Sequence, residues 1–201
     1  MNRPLRPRRP TIVALTGSVT LAATSMLARN RRVSVSERRT FRALNQSIGA
    51  AERPAWAVMQ FGNGLMAGVA PIALRAAGRS WPDSTRAGVA AAGGWQLAKG
   101  VKLLVARPRP NDLLADVVLR DGNPTGRGFV SGHSAVAMAV AVAAAPLLEG
   151  WQRPVAMGTA LAVGLARVHV GAHLPLDVVG GLALGAVCGS VCAPPTSRTS
   201  S

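Results

Sequence analysis

RVHVGAHLPLDVVGGLALGAVCGSVC, residues 167–192, sets Arg167, His173 and Asp177 at the mouth of an apolar run that covers 174–193. A cation, an imidazole and a carboxylate are costly against lipid unless a site uses them. The run itself is Leu, Val, Ala and Gly, and about 20 such residues cross a hydrocarbon core roughly 30 Å thick. Five more apolar runs precede it, at 11–28, 54–74, 87–105, 134–148 and 154–168. Together they predict an all-α fold, an integral membrane bundle of about six transmembrane helices. Several runs are short for a span, and their polar ends lengthen them past the hydrocarbon. Gly and Ala are dense throughout, which lets helices approach closely where packing drives association in lipid.

The organisation expected is a disordered basic flank over 1–10, one transmembrane domain over 11–193 with its core over 35–193, and a disordered tail over 194–201. The run at 11–28 follows a basic stretch, as the apolar part of a signal peptide would. Met26-Leu27-Ala28 makes a poor cleavage site, so an uncleaved first helix is expected. Between Arg29 and Arg53 the chain is polar and basic, with Phe41, Leu44 and Ile48 at helical spacing, Ser36 as N-cap and Glu37 in the first turn. A helix lying on the membrane surface and a solvated loop both fit that stretch.

The formal net charge is +15, and the 23 basic residues comprise 21 arginines and two lysines, Lys99 and Lys102. Nucleic acid is a poor partner for this charge, because aromatic residues make up 3% of the chain and no recognition motif accompanies the arginines. An anionic membrane surface and an anionic lipid substrate fit better. Cys188 and Cys192 share a helix face as small packing residues, with no support for a disulfide or a metal. Arg3, Arg6, Arg8 and Arg9, with Arg75, Arg79 and Arg86, place the N-terminus in the cytoplasm of a bacterial plasma membrane and the polar motifs on its outer face. The seven arginines over 29–53 then lie outside, against the positive-inside rule. Either that segment is tolerated as a surface helix, or the first run does not span.

Three blocks carry the chemistry: Lys102-x6-Arg109-Pro110, Ser131-Gly132-His133 and Arg167-x5-His173-x3-Asp177. All fall at helix ends on one side of a six-span bundle. Lys102, Arg109 and Arg167 can neutralise the oxygens of a transferring phosphoryl group, the arginines as planar forks and the lysine as a point charge. Arg107 and Arg109 belong to an Arg-Pro-Arg-Pro run whose prolines hold extended backbone. A Ser-Gly-His start to a helix offers backbone N–H groups and close backbone approach, and His133 suits proton delivery to a departing oxygen. His173 can attack phosphorus, and Asp177 can orient its ring or cap the last helix. A rival reading makes His169, His173 and Asp177 a metal face, but Pro175 interrupts the helix and Arg167 sets a cation beside it. His169 reads better as a helix-end packing residue.

In order and spacing the blocks resemble the signature of the type 2 phosphatidic acid phosphatase (PAP2) superfamily, K-x6-RP, PSGH and SR-x5-H-x3-D. The resemblance covers about residues 35–193 and includes a Glu37…Phe41…Asn45 pattern like one preceding that family's core. Val130 stands where the family has proline, and Ala166 where it has serine; neither carries charge or a proton. The resemblance implies a helical phosphatase without cofactor or metal, of the membrane-bound branch. Its catalytic residues would be His173, His133 and Asp177, and its phosphate-binding residues Lys102, Arg109, Ser131, Gly132 and Arg167. The implied substrate is a lipid phosphate or diphosphate, foremost an undecaprenyl or decaprenyl diphosphate. Decaprenylphosphoryl-5-phosphoribose phosphate, phosphatidic acid and phosphatidylglycerol phosphate stand as alternatives. From another class, a silent membrane transporter or scaffold could keep the pocket to bind an anion.

Overall fold

The computed structural model describes residues 9–47 and 52–194. The flank before Arg9, Ile48 and the tail beyond Pro194 lie outside them. Among the described residues the fold is all-α: α1 (Arg9–Arg29), α2 (Val35–Asn45), α3 (Glu52–Met59), α4 (Met66–Ala76), α5 (Trp81–Val105), α6 (Pro110–Leu113), α7 (Gly132–Ala144), α8 (Gln152–His169) and α9 (Pro175–Cys192). Each of the six apolar runs is helical. By length and composition two of them, Pro10–Arg29 and Pro175–Cys192, are long and apolar enough to cross a membrane. A third qualifies if the run at 54–74 is one span. That run is not straight: α3 and α4 are bent by 84° across a 3₁₀ turn at Gln60–Gly62.

The bend has a cause in the packing. A Cβ on Gly62 would stand 2.9 Å from the Cβ of His133 and 2.8 Å from Val163, so only glycine lets this backbone lie against the start of α7. Asn63 then leaves the helical region at φ −70°, ψ 152°. The kink therefore seats the chain beside His133.

Where α5, α7 and α9 meet, the buried positions are mainly small, while many large apolar side chains face outward. Leu15, Val19, Met26, Leu97, Leu104, Leu161, Leu165 and Val191 are exposed, whereas the buried positions of α5 and α7 are mainly Ala87, Ala90, Ala98, Ala135, Ala139 and Ala143. That arrangement suits a lipid environment, in which association is driven by close backbone packing. α9 sits against α7, α1 and α5. Along its inner face Gly181, Gly185 and Gly189 oppose the backbone carbonyls of Ser131, Ala135 and Ala139 on α7. Cys188 and Cys192 are unpaired and pack against the same cluster.

α2 is the amphipathic helix, not a loop, and Ser34 rather than Ser36 caps it. The Glu37 backbone N–H donates to Ser34 Oγ at 3.1 Å, because Ser34 is still extended and Val35 opens the helix. α5 is 25 residues long, about 37 Å, so Arg75, Arg79 and Arg86 near its start lie far from Lys102 near its end. Ala106 ends it in the left-handed region, φ 51°. That reversal turns Arg107 inward.

The α7–α9 contact is open to test. Gly185→Val drives methyl groups into the Ala135 backbone and should cost about 1–3 kcal/mol of stability. Gly158→Ala on α8, where an added Cβ meets nothing within 4 Å, should be neutral or stabilising by up to about 1 kcal/mol. Thermal unfolding of the detergent-solubilised protein reads both.

Candidate active site

His173 sits at the corner between α8 and α9, 3% exposed. The corner is built by Gly171 at φ 79°, which lets the Ala172 and His173 N–H groups return to the Arg167 carbonyl at 3.1 and 3.2 Å. Arg109 reaches it from the Arg-Pro-Arg-Pro loop, donating to the Ala172 carbonyl at 2.7 Å and to His173 Nε2 at 3.0 Å. A guanidinium has only donors, so Nε2 is the acceptor and the ring proton resides on Nδ1. Nδ1 in turn faces Asp177 Oδ2 at 3.7 Å. That is beyond a hydrogen bond, so Asp177 acts on the ring through its charge. Burial, and then Lys102, Arg109 and Arg167, hold the His173 pKa well below the ordinary histidine value. These effects favour the neutral imidazole, the form that carries a free lone pair.

Asp177 is three residues inside α9 and does not itself cap it. Leu174 is the cap residue, and its N–H donates to Asp177 Oδ2 at 2.9 Å. The other oxygen, Oδ1, accepts from Arg107 at 2.9 Å, with both side chains fully buried.

Above this corner lies a cavity of about 240 Å³ lined by Lys102, Arg109, Gly132, His133, Arg167 and His173, with Trp95, Ala98 and Lys99 along α5. Lys102 Nζ donates to the carbonyls of Arg127 and Gly128 at 3.0 and 3.1 Å. Arg167 donates to Asp121 at 2.9 Å. His133 meets Trp95 edge to face, with centroids 5.9 Å apart. Six of the eight residues expected from the sequence thus share one cavity, and the other two, Ser131 and Asp177, stand behind its wall. Ser131 Oγ accepts from Ser134 Oγ at 2.9 Å, and the Ser131 N–H donates to the Asp177 carbonyl at 2.8 Å. Its hydroxyl serves the N-cap of α7, and its backbone N–H ties that helix to α9.

His169 goes elsewhere. Its Nδ1 lies 3.0 Å from the Leu44 carbonyl, beside α2. It does not line the cavity, and among the described residues no three His, Cys, Asp or Glu side chains gather as a metal site.

Sequence reasoning missed the partners of the motif residues. Arg107 is 0% exposed and bridges two carboxylates, with bonds of 3.0 and 2.7 Å to Glu37 as well as the one to Asp177. Glu37 Oε1 also accepts from the Leu176 N–H at 3.1 Å. The signal was present as Glu37…Phe41…Asn45, one face of a helix at spacing four. Phe41 and Asn45 on that face are buried, and Asn45 bonds Val118 and the His169 carbonyl. For Asp121 and Trp95 no spacing pointed to the site.

The chain is similar to known proteins in sequence and in fold. The family model described as PAP2 superfamily matches residues 85–197. The chain is 32% identical over 84 residues to an undecaprenyl-diphosphatase of Sulfolobus acidocaldarius, a match covering 42% of this chain and 41% of that protein. The chain thus spans less than half the length of that curated relative. Among solved structures, Aquifex aeolicus LpxE superposes with a TM-score of 0.70 at 24% identity, over 77% of this chain and 92% of that one. The first transmembrane PAP2 type phosphatidylglycerolphosphate phosphatase from Bacillus subtilis gives 0.63 at 20% identity, over 92% and 94%. At those identities the likeness is one of fold. With the family match over more than half its length and all three motif blocks meeting at one cavity, this chain belongs to the PAP2 superfamily.

Proposed function

We propose that this chain is an integral membrane phosphatase that removes a phosphate from a lipid, foremost a polyprenyl diphosphate, through a phosphohistidine on His173. The observation that carries the reading is the neutral, buried His173 with Nε2 turned to the guanidinium of Arg109 inside a cavity ringed by cations. A phosphate entering that cavity offers Arg109 an anionic oxygen in exchange for Nε2, which frees the lone pair beside phosphorus. His173 Nε2 then bonds to the terminal phosphorus and the bond from that phosphorus to the leaving oxygen breaks; a diphosphate releases the lipid monophosphate, and where a monophosphate releases an alkoxide, protonated His133 delivers the proton. In the second half His133 takes a proton from water, the water oxygen attacks phosphorus, and the N–P bond breaks to release inorganic phosphate. Lys102, Arg109 and Arg167, with the backbone at Gly132, neutralise the equatorial oxygens, so the reading has no metal step.

The diphosphate preference follows the name of the Sulfolobus relative. We place the site on the outer face of a bacterial plasma membrane, because Arg75, Arg79 and Arg86 gather at the opposite end of α5.

Purified protein in detergent should release phosphate from a prenyl diphosphate with chelator present. His173→Ala should lower kcat at least about 10³-fold and remove the acid-labile phosphoryl label from the protein. Full turnover in that variant, or dependence on added metal, would end the covalent mechanism. A panel including phosphatidic acid, phosphatidylglycerol phosphate and decaprenylphosphoryl-5-phosphoribose phosphate ranks the substrates. Anion binding without turnover on any of them would instead favour a silent transporter or scaffold.

The pH profile has a definite sign. Because the His173 pKa is lowered, the free enzyme keeps its nucleophile deprotonated as pH falls from 7 to 6. The acid limb of kcat/KM should therefore lie below the ordinary histidine value of about 6.5. A limb at or above that value would place His173 in an unperturbed environment.

Arg107 acts through Asp177. Arg107→Lys supplies a charge that cannot bridge two carboxylates in a plane, so kcat should fall at least about tenfold with KM within about threefold. A rise in KM at constant kcat would mean that Arg107 contacts the phosphate directly.

A further inference from the structure

The two lysines of this arginine-rich chain both line the catalytic cavity, three residues apart on α5. Residues at that spacing share a helix face. Lys102 belongs to the motif, and its ammonium is held by two carbonyls beside Arg109's loop. Lys99 belongs to no motif. It is exposed, and its Nζ lies over the Trp95 ring, 5.6 Å from the centroid. Elsewhere in the chain every basic side chain is an arginine, the residue that suits membrane surfaces and forked hydrogen bonds. A compact ammonium on a flexible stem occurs only here.

The cavity also has a direction. Its phosphate end is formed by Arg109, His173 and Arg167, and α5 carries its wall away from them through Lys102, Lys99, Ala98 and Trp95. Trp95 is seven residues before Lys102, about 10 Å along the helix axis toward the apolar middle of α5. A lipid whose terminal phosphate meets His173 must leave along this wall, the side on which apolar lining begins. Lys99 thus faces the group that links the scissile phosphate to the tail. In a lipid monophosphate that group is a neutral carbon. In a lipid diphosphate it is a second, anionic phosphate.

The geometry points to Lys99 as a specificity-determining residue for diphosphate substrates, its ammonium contacting the phosphate attached to the lipid. The inference rests on the phosphatase reading above. When His173 Nε2 bonds to the terminal phosphorus, the bond to the bridging oxygen breaks and its electron pair stays on the departing lipid monophosphate. Lys99 neutralises the charge that develops there. A monophosphate substrate instead expels an alkoxide, which needs the proton of His133. Lys99 and His133 therefore serve different leaving groups.

The test uses the full chain in detergent with two substrates of the same prenyl tail, one ending in a diphosphate and one in a monophosphate, with initial release of inorganic phosphate as readout. Lys99→Met should lower the ratio of kcat/KM, diphosphate over monophosphate, by about tenfold, and Lys99→Arg should restore most of it. His133→Ala should move the same ratio the opposite way. Wild-type protein active on both substrates, with a ratio unchanged in Lys99→Met, overturns this inference and leaves the phosphatase reading standing. Wild-type protein inert on both but active on another lipid phosphate of the panel overturns this inference alone, and protein inert on all of them overturns the two together. The elution profile of each variant in detergent confirms that it is folded, and Lys99, being exposed, tolerates either side chain.

Discussion

Arg107 between Glu37 and Asp177 is the contact on which the site depends. Taking one guanidinium and two carboxylates out of water costs several kcal/mol for each ion, and their attraction offsets that only if the geometry is good and the remaining oxygens are bonded. Both conditions hold here. Arg107 grips both oxygens of Glu37 with two nitrogens, Glu37 Oε1 also accepts the Leu176 N–H, and the Asp177 oxygen that Arg107 leaves free accepts the Leu174 N–H at the head of α9. Three segments far apart in sequence, α2, the Arg-Pro-Arg-Pro loop and α9, are locked by one side chain. The triad carries a net charge of −1 beneath a cavity of cations. That negative charge offsets Lys102, Arg109 and Arg167 and favours the His173 ring proton on Nδ1, the nitrogen that faces Asp177.

The cations are held by backbone as well as by charge. Non-helical chain at membrane depth survives only where its polar groups are satisfied inside the protein. The loop from Ala106 to Ser131 and the α8–α9 corner are largely non-helical chain whose buried polar groups make the same demand. Their carbonyls are met by Lys102 at Arg127 and Gly128 and by Arg109 at Ala172, while Arg120 ties the loop to the last carbonyls of α2 and α8 at Asn45 and His169. Lys102 and Arg109 are therefore positioned by the fold's own carbonyls. Cations so held need little reorganisation to meet an anion.

Much of this was legible in the sequence, for physical reasons that differ by element. The apolar runs announced helices because burying backbone polar groups in lipid leaves few other structures. The motif residues announced a site because charge among apolar runs is expensive. The break in the run at 54–74 was not legible, since it depends on Gly62 meeting His133 and Val163 across 71 and 101 residues of chain. The role of Arg107 was equally hidden. Arg107 and Arg109 sit in identical Arg-Pro contexts, and only the left-handed turn at Ala106 decides which faces the carboxylates and which the cavity. Ser34 and Ser36 both precede the apolar face, so position alone does not pick the cap. The Ser34-x-x-Glu37 spacing was the better guide, although the Glu37 side chain goes to Arg107 and not back to the cap.

The small-residue interior completes the argument, because it sets how closely the two histidines approach one cavity. His133 opens α7 and His173 precedes α9, so their spacing is governed by the contact between these helices. Gly181 lies under the Ser131 carbonyl, one turn into α9 from the residue whose own carbonyl, Asp177, receives the Ser131 N–H. Any side chain at Gly181 would push the start of α7 away from α9, and with it Gly132 and His133 away from His173. In a water-soluble enzyme a large apolar core would set such a distance. Here, along the α7–α9 contact, backbone meets backbone at glycine. The geometry of the cavity is thus fixed by the absence of side chains at that contact as much as by the charged groups at its end.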